Sequence, residues 1–389
     1  MEKQINRTFS SIPVFLAFLC MGFGDVVGPL TGLVKEEFQL SNVLAQMIPF
    51  MGFMMFGLLS IPMGIFQDKK GKKFVLMFGL ILAFLGLILP ILGNFSAFYL
   101  LLIAILLLGA GATMLQVAGN PIMRDVSPEG KYARNLSLGQ FIKAIGSLSG
   151  ALIPLAAANY WGMDWKILFP VYSAAILITM LWMGMSRIKE KKTEDARAAT
   201  FKSCLSLLGN KKVFMMVLAI FLYVGAEVSM SSGLPIYLKD AFGYDIARLG
   251  LLGTLFFFIA LMTGRFLGAL ILNWISATRF LIITLILSIM GFVGLFIGIQ
   301  AVSIASIFVI GLGFANIFPL IFSITVDAMP ERTNELSGLM VTAIVGGAII
   351  PPIMGAVADY SSTLIGFIIP LACILYIAII ALNLKRKPL

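Results

Sequence analysis

Histidine is absent from this chain of 389 residues, and charged residues are few. Without histidine, the protein lacks the commonest general base and the commonest transition-metal ligand. Only 12% of the residues are charged and 60% are hydrophobic, whereas about a quarter of the residues in soluble proteins are charged. A soluble protein of this length would need a charged surface that this sequence does not contain. The composition therefore predicts a membrane protein.

Cysteine is also scarce, and its spacing suggests neither a disulfide framework nor a metal site. The three cysteines are Cys20, Cys204 and Cys373. The apolar runs are continuous, which favours helices over the alternating strands of a β-barrel. A net charge of +10 is typical of nucleic-acid binding, but the basic residues cluster between apolar runs, where they act as topology signals. We therefore expect an all-α protein in a lipid bilayer, with no nucleic-acid partner.

Twelve apolar runs have about the 20-residue length of a membrane-crossing helix. They are predicted near residues 11–33, 43–66, 74–93, 97–121, 135–157, 165–186, 213–236, 247–271, 279–299, 301–325, 337–359 and 363–384. A basic polar segment, 187–212, divides them into two sets of six. This layout predicts two pseudo-symmetric halves, 1–186 and 213–389, joined by a cytoplasmic linker.

The distribution of lysine and arginine predicts the orientation of the chain. If both termini are cytoplasmic, most basic residues fall in cytoplasmic segments, as the positive-inside rule requires. Those counted as cytoplasmic outside the linker are Lys3, Arg7, Lys69, Lys70, Lys72, Lys73, Arg124, Lys131, Arg134, Arg265, Arg279, Arg332, Lys385, Arg386 and Lys387. Only Lys35, Lys166, Lys239 and Arg248 fall outside. The expected location is a bacterial-type cytoplasmic (inner) membrane, crossed many times.

The loop after the second run contains a glycine, then an aspartate, then basic residues on both sides of a second glycine. The residues are Gly64, Asp68, Lys69, Lys70, Gly71, Lys72 and Lys73. This pattern is similar to the signature of the major facilitator superfamily. The resemblance implies a cytoplasmic gate in which Asp68 caps a helix end or pairs with a basic residue and holds the halves together. The alternative is a loop that serves orientation only. In the second half, the stretch from Gly264 and Arg265 to Arg279 is a weak echo of this loop.

Further strings, in runs 4, 5, 7, 10 and 11, are similar to the fucose–galactose–glucose:proton symporter family within that superfamily. They span Gln116–Pro121, Asn135–Gln140, Phe221–Ser229, Asn316–Ser323 and Ala343–Pro351. The resemblance implies twelve helices in a major facilitator fold, with runs 1, 4, 7 and 10 lining a cavity and run 5 contributing. It also implies import of a monosaccharide with a cation, usually a proton, by alternating access.

The chain departs from that family at three positions. Gln116 stands where the fucose-transporting branch has a glutamate, and Lys143 stands where the family tends to have asparagine. Asp25 lies about one helical turn before the family's essential aspartate in run 1.

Three ionisable residues lie well inside the runs: Asp25, Lys143 and Glu227. A charge near the bilayer centre costs roughly 2.5–3.5 kcal/mol, so each must face protein or water. Asp25 or Glu227 can act as the proton-coupling carboxylate, because a carboxyl group shielded from water can bind a proton on one side and release it on the other. The alternative is a permanent ion pair between Lys143 and one of them.

Amide side chains at four positions can bind sugar hydroxyls, because amides both donate and accept hydrogen bonds. They are Gln116, Asn120, Gln140 and Asn316. Glu227 and Tyr223 join this predicted substrate site, although aromatic residues at helical spacing are more often packing residues. An unpaired Lys143 would instead bind the carboxylate of an acidic sugar.

The sequence thus predicts a proton-coupled importer of a hexose or deoxyhexose, monomeric and without a cofactor. Sodium is the alternative coupling ion. No nucleotide-binding domain is evident, so the energy must come from an ion gradient. Three rival functions remain open: transport of an acidic sugar such as a sialic acid or uronate, export of drugs or lipids, and sugar sensing without transport. A membrane enzyme is disfavoured, because the chain lacks clustered acids and metal-ligand spacing.

Overall fold

The computed structural model describes residues 2–126, 132–186, 188, 190, 201–246, 251–272, 274–329 and 332–386. In this part of the chain, twelve helical segments are long and apolar enough to cross a membrane, as the sequence predicts. We number them spans 1 to 12. Each predicted run coincides with one span to within a few residues. The fold is therefore an all-α membrane bundle.

Several spans consist of two helices in succession. Span 1 comprises α1 (Glu2–Gly22) and α2 (Val27–Glu37), and span 2 comprises α3 (Asn42–Ala45) and α4 (Met47–Lys70). Spans 3 to 6 are α5 (Lys72–Leu92), α6 (Phe98–Val126), α7 (Tyr132–Ala156) and α8 (Leu168–Met185). A short helix, α9 (Phe201–Ser206), precedes span 7, which is α10 (Lys211–Phe242).

Spans 8 and 9 are α11 (Leu251–Ile271) and α12 (Ala277–Phe296). Span 10 comprises α13 (Gln300–Phe314) and α14 (Ile317–Asp327), and span 11 comprises α15 (Thr333–Thr342) and α16 (Gly346–Tyr360). Span 12 comprises α17 (Thr363–Gly366) and α18 (Ile368–Arg386). Successive spans run in opposite directions. We call the end with the turns at 38–41, 93–97, 162–164, 297–299 and 361–362 the distal end, and the opposite end, with the turns at Gly71 and 274–276, the proximal end.

Proline explains why particular carbonyl groups in the spans need unusual partners. A proline has no amide hydrogen, so the carbonyl four residues earlier loses its helical donor. Pro235 frees the carbonyl of Ser231 in this way, and the hydroxyl of Thr254 in span 8 donates to it at 2.9 Å. Neighbouring helices thus satisfy a backbone group that lipid cannot.

Spans 1 and 5 cross with their backbones in contact. A Cβ atom on Gly22 would lie 2.2 Å from the carbonyl oxygen of Lys143, and one on Gly146 would lie 2.2 Å from the carbonyl oxygen of Leu19. Only glycine permits this approach. The close crossing brings the break in span 1 beside the polar side chains of span 5.

The distal end joins spans 1–6 to spans 7–12 through polar contacts. The carboxylate of Asp359 in span 11 accepts the backbone N–H groups of Asn42 and Val43 in span 2, at 2.7 and 2.8 Å. Ser232 of span 7 donates to Gln46 of span 2 at 2.9 Å, and both residues are buried.

Spans 1 and 7 meet at the same end. Lys239 forms an ion pair with Glu36. A Cβ atom on Gly28 would lie 2.4 Å from the hydroxyl oxygen of Ser231, so the two spans approach closely there. Together with the contacts of Asp359 and Gln46, these links close the distal end.

Candidate functional site

A carboxylate lies at the break in span 1. Asp25 belongs to the tight 3₁₀ turn Phe23–Val26, where Pro29 removes the amide that would bond the Asp25 carbonyl in a continuous α-helix. The hydroxyl oxygen of Ser147 in span 5 lies 2.5 Å from the Asp25 carboxylate and 3.2 Å from the carbonyl oxygen of Lys143. Asp25 is therefore held inside the bundle by a neutral partner.

Spans 4 and 5 face each other through polar side chains. Gln116 and Asn120 lie four residues apart and Gln140 and Lys143 three apart, spacings that place each pair on one helix face. The ammonium of Lys143 lies 3.4 Å from the amide oxygen of Gln116, and the amide of Gln140 donates to Asn120 at 3.3 Å. All four side chains are partly exposed, so this polar surface borders a water-accessible space.

A second carboxylate lies in span 7. From Tyr223 to Leu238, every residue is buried except Glu227, which is partly exposed. Its carboxylate lies 3.6 Å from the guanidinium of Arg265 in span 8, and the two side chains are 21% and 47% exposed. Neighbouring side chains therefore do not fully cover this ion pair.

The break in span 10 depends on donors from spans 7 and 8. Pro319 leaves the carbonyl of Ala315 without its helical donor, and Nε of Arg265 donates to that carbonyl at 3.3 Å. The hydroxyl of Tyr223 donates to the carbonyl of Phe314 at 3.0 Å. Arg265 thus connects the carboxylate of span 7 to the broken part of span 10.

The model of the Major Facilitator Superfamily matches residues 14–352 of this chain. The chain belongs to the Major Facilitator Superfamily.

Two curated relatives of this facilitator match over almost their whole length. The "Glucose/galactose transporter" of Brucella abortus is 30% identical over 395 residues, which cover 97% of this chain and 94% of the relative. The "L-fucose-proton symporter" of Escherichia coli is 25% identical over 98% of this chain and 95% of its own length. The family resemblance read from the motifs is confirmed.

A solved structure of the superfamily has the same fold. The crystal structure of the transporter FucP in the outward conformation superposes with a TM-score of 0.70, at 22% identity. The match covers 96% of this chain and 99% of that chain. The major facilitator fold predicted from the sequence is confirmed.

The facilitator brings five of its predicted site residues together in two groups. Asp25 contacts the hydroxyl of Ser147, which also lies 3.2 Å from the backbone carbonyl of Lys143. The side chains of Lys143, Gln116, Asn120 and Gln140 line the facing surfaces of spans 4 and 5. Glu227 forms a separate pair with Arg265. The ammonium of Lys143 thus has an amide oxygen as its neighbour. Among the described residues, the ion pairs do not include one between Lys143 and a carboxylate.

Two predicted substrate ligands have a different role in this state. Tyr223 is fully buried and packs against the rings of Phe314 and Phe318. Asn316 is also buried, and its amide donates to the carbonyl of Gly264 at 2.7 Å. Both side chains support the break in span 10 in this state, and their predicted contact with a sugar stays a prediction.

Arg265 is a candidate site residue that is not among those predicted from the sequence. The sequence places it in a cytoplasmic segment, because Gly264 and Arg265 weakly resemble the gate motif. In the structure it lies inside α11, and its guanidinium reaches Glu227. A charged residue within an apolar run of 21 residues was the available signal, because such a residue must have a polar partner.

The gate motif connects the proximal ends of spans 3, 4 and 6. Lys72 forms an ion pair with Asp125 of span 4 at 2.7 Å, and Lys73 donates to the carbonyl of Ser186, just after span 6, at 2.7 Å. Glu190 accepts the backbone N–H groups of Lys72 and Lys73 at 2.7 and 2.9 Å. These contacts lie within the first set of spans and the segment after it.

The other motif residues have simpler surroundings. Gly71 has a φ of +95°, a value that favours glycine, at the turn between spans 2 and 3. A Cβ atom on Gly64 would meet open space, and Lys69 is exposed. The side chain of Asp68 lies outside the described residues, so its proposed contact across the halves stays a prediction.

Proposed function

We propose that this facilitator imports a neutral hexose or deoxyhexose together with a proton. The observation that carries the proposal is the polar cluster within the membrane: Asp25 with Ser147, the facing amides of spans 4 and 5, and Glu227 with Arg265. Relatives named as a glucose/galactose transporter and an L-fucose-proton symporter support both the substrate class and the coupling ion. Sodium is the alternative ion that the test must exclude.

Asp25 is the better candidate for the proton-coupling group. A hydroxyl partner such as Ser147 can donate to a carboxylate and accept from a carboxylic acid, so it serves both protonation states. The guanidinium of Arg265 offers donors only and stays charged in proteins. A protonated Glu227 would therefore lose its ion pair, whereas a protonated Asp25 would keep its hydrogen bond.

The charges of the cluster favour a neutral substrate. Asp25 and Glu227 balance Lys143 and Arg265, so the four groups carry no net charge when all are ionised. Gln116, whose oxygen faces Lys143, and the pair Asn120 and Gln140 supply donors and acceptors for hydroxyl groups. An acidic sugar would add an unbalanced charge, and a drug or lipid exporter would be expected to have a more apolar cavity.

The state described here is one of the two that alternating access requires. Asp359, Gln46 and Glu36 close the distal end, and we propose that water reaches the partly exposed cluster from the proximal end. We propose that both termini and the proximal end face the cytoplasm, that residues 1–186 and 213–389 act as the moving halves joined by the linker 187–212, and that the protein functions as a monomer in a bacterial-type cytoplasmic membrane.

Transport into proteoliposomes tests this function directly. We expect glucose, galactose or L-fucose to accumulate when an inward proton gradient is applied, and no accumulation of a uronate of the same size. A sodium gradient without a proton gradient should not drive uptake. Accumulation of the uronate alone would overturn the assignment of a neutral substrate, and accumulation driven only by sodium would overturn the coupling ion.

A further inference from the structure

Arg265 is a charged residue inside a membrane-spanning helix, and the direction in which its side chain is exposed can be worked out from the helix. Within α11, the exposed apolar side chains include Ile259, Phe266 and Leu270, which recur on one face at 100° per residue. Arg265 lies about 100–140° around the helix from Phe266 and Leu270 by the same spacing. A charged side chain directed at lipid is costly. Its 47% exposure is therefore exposure to the space between the two sets of spans.

The guanidinium of Arg265 has donors to spare. It carries five N–H groups in a fixed plane. One, on Nε, bonds the carbonyl of Ala315, and the Nη2 atom faces Glu227 at 3.6 Å. The hydroxyl of Tyr223 is a third neighbour of the guanidinium, and the remaining N–H groups belong to a side chain that is almost half exposed. Three neighbours therefore fix the orientation of the group and leave one edge open to a ligand.

Glu227 and Arg265 together present an acceptor beside a donor. Each sugar hydroxyl both donates and accepts, so two neighbouring hydroxyls match a carboxylate and a guanidinium placed side by side. We propose that this pair is the contact of spans 7–12 with the transported sugar, opposite the amides of spans 4 and 5, and that Arg265 discriminates between sugars by one of their hydroxyl groups. The inference rests on the proposed function and adds a residue that determines which sugar is bound.

Such a contact also gives the sugar a role in closing the cavity. Gln116, Gln140 and Lys143 belong to spans 4 and 5, whereas Glu227 and Arg265 belong to spans 7 and 8. A sugar bound to both groups connects the two sets of spans. A ligand shifts a conformational equilibrium only through contacts that differ between the states. A sugar that contacts both sets of spans therefore favours the state in which the two sets enclose it.

Equilibrium binding with a series of monodeoxy sugars tests the proposal. The proteins compared are the wild type, Arg265→Met, Arg265→Lys and the control Arg279→Met at the proximal start of span 9. We expect Arg265→Met to bind the parent sugar about ten- to a hundredfold more weakly, the effect of a lost hydrogen bond to a charged group. For one deoxy sugar, the wild type and Arg265→Met should bind equally, because the contacted hydroxyl is already missing.

The deoxy series separates sugar contact from a structural role. A variant that weakens the parent and every deoxy sugar by the same factor, or that weakens none, overturns the proposal. Arg265→Lys keeps a cation beside Glu227 and serves the same comparison if the methionine variant fails to fold. A wild type that binds no sugar contradicts the proposed function instead, so the two failures are distinguishable.

Discussion

The hydroxyl oxygen of Ser147 lies 2.5 Å from the carboxylate of Asp25 and joins spans 5 and 1 where span 1 breaks. This contact exists because glycine at positions 22 and 146 lets the two helix backbones touch. It places a titratable group next to a partner that remains bonded in either protonation state. The coupling mechanism that we propose depends on this pair.

Replacing Ser147 with alanine removes that partner. We expect proton-driven uptake in Ser147→Ala to fall by about tenfold or more, the effect of losing a hydrogen bond to a charged group, and the pH profile of uptake to change. Ser147→Thr keeps the hydroxyl and should retain both the rate and the profile. Measurements of initial uptake rate against external pH decide the matter, and an alanine variant with the wild-type profile would show that Ser147 does not serve Asp25.

The carboxylate of Asp359 holds the distal end closed by accepting two backbone N–H groups of span 2. Asparagine would keep one acceptor but lose the charge, so we expect Asp359→Asn to shift the equilibrium toward a state open at the distal end by about tenfold. The probe is Ser231→Cys in a background with the native cysteines replaced by serine, because Ser231 is buried against Gly28 in the closed state and its hydroxyl bonds within its own helix. Its labelling by a membrane-impermeant maleimide should rise accordingly.

Asp164, another carboxylate at the distal end, is the control for a nonspecific effect of replacing an aspartate there. Asp164 accepts the backbone N–H of Lys166 within the first set of spans, so Asp164→Asn should leave the labelling unchanged. Equal labelling in the Asp359→Asn variant and the wild type would mean that Asp359 does not hold the distal end closed.

The hydroxyl of Thr254 satisfies the carbonyl of Ser231 that Pro235 frees. Thr254→Val preserves the shape but leaves that buried carbonyl unpaired, which we expect to lower the free energy of unfolding by about 1–3 kcal/mol. Thr325 is the matched control, because its hydroxyl bonds Ile321 within its own helix and the backbone bond there does not depend on it. Thermal unfolding in detergent should show a lower Tm for Thr254→Val than for Thr325→Val, and the reverse order would refute the role of Thr254.

The length of the apolar runs predicted all twelve spans, because a bilayer sets the length of the helices that cross it. Residue spacing also predicted the polar face of span 4, since Gln116 and Asn120 lie four residues apart. The partners of these residues were less predictable. That Pro319 frees the carbonyl of Ala315 can be read from the sequence, but Arg265, 50 residues earlier, supplies the donor. Which spans approach each other decides such contacts.

The burial of Tyr223 and Asn316 illustrates the same limit. Both residues lie in strings that resemble sugar-transporter motifs, and the helical period alone does not distinguish a residue that faces the cavity from one that faces the next helix. In the structure both side chains are buried, and they bond the carbonyls of Phe314 in span 10 and Gly264 in span 8.

Proton coupling through Asp25 is the central claim, and one variant tests it most directly. Asp25→Asn should be measured in proteoliposomes in two modes: accumulation driven by a proton gradient, and counterflow of labelled sugar without any gradient. We predict that accumulation is lost while counterflow stays close to the wild-type rate, because asparagine cannot bind and release the proton but keeps the shape of the site. Full accumulation by Asp25→Asn would contradict the account.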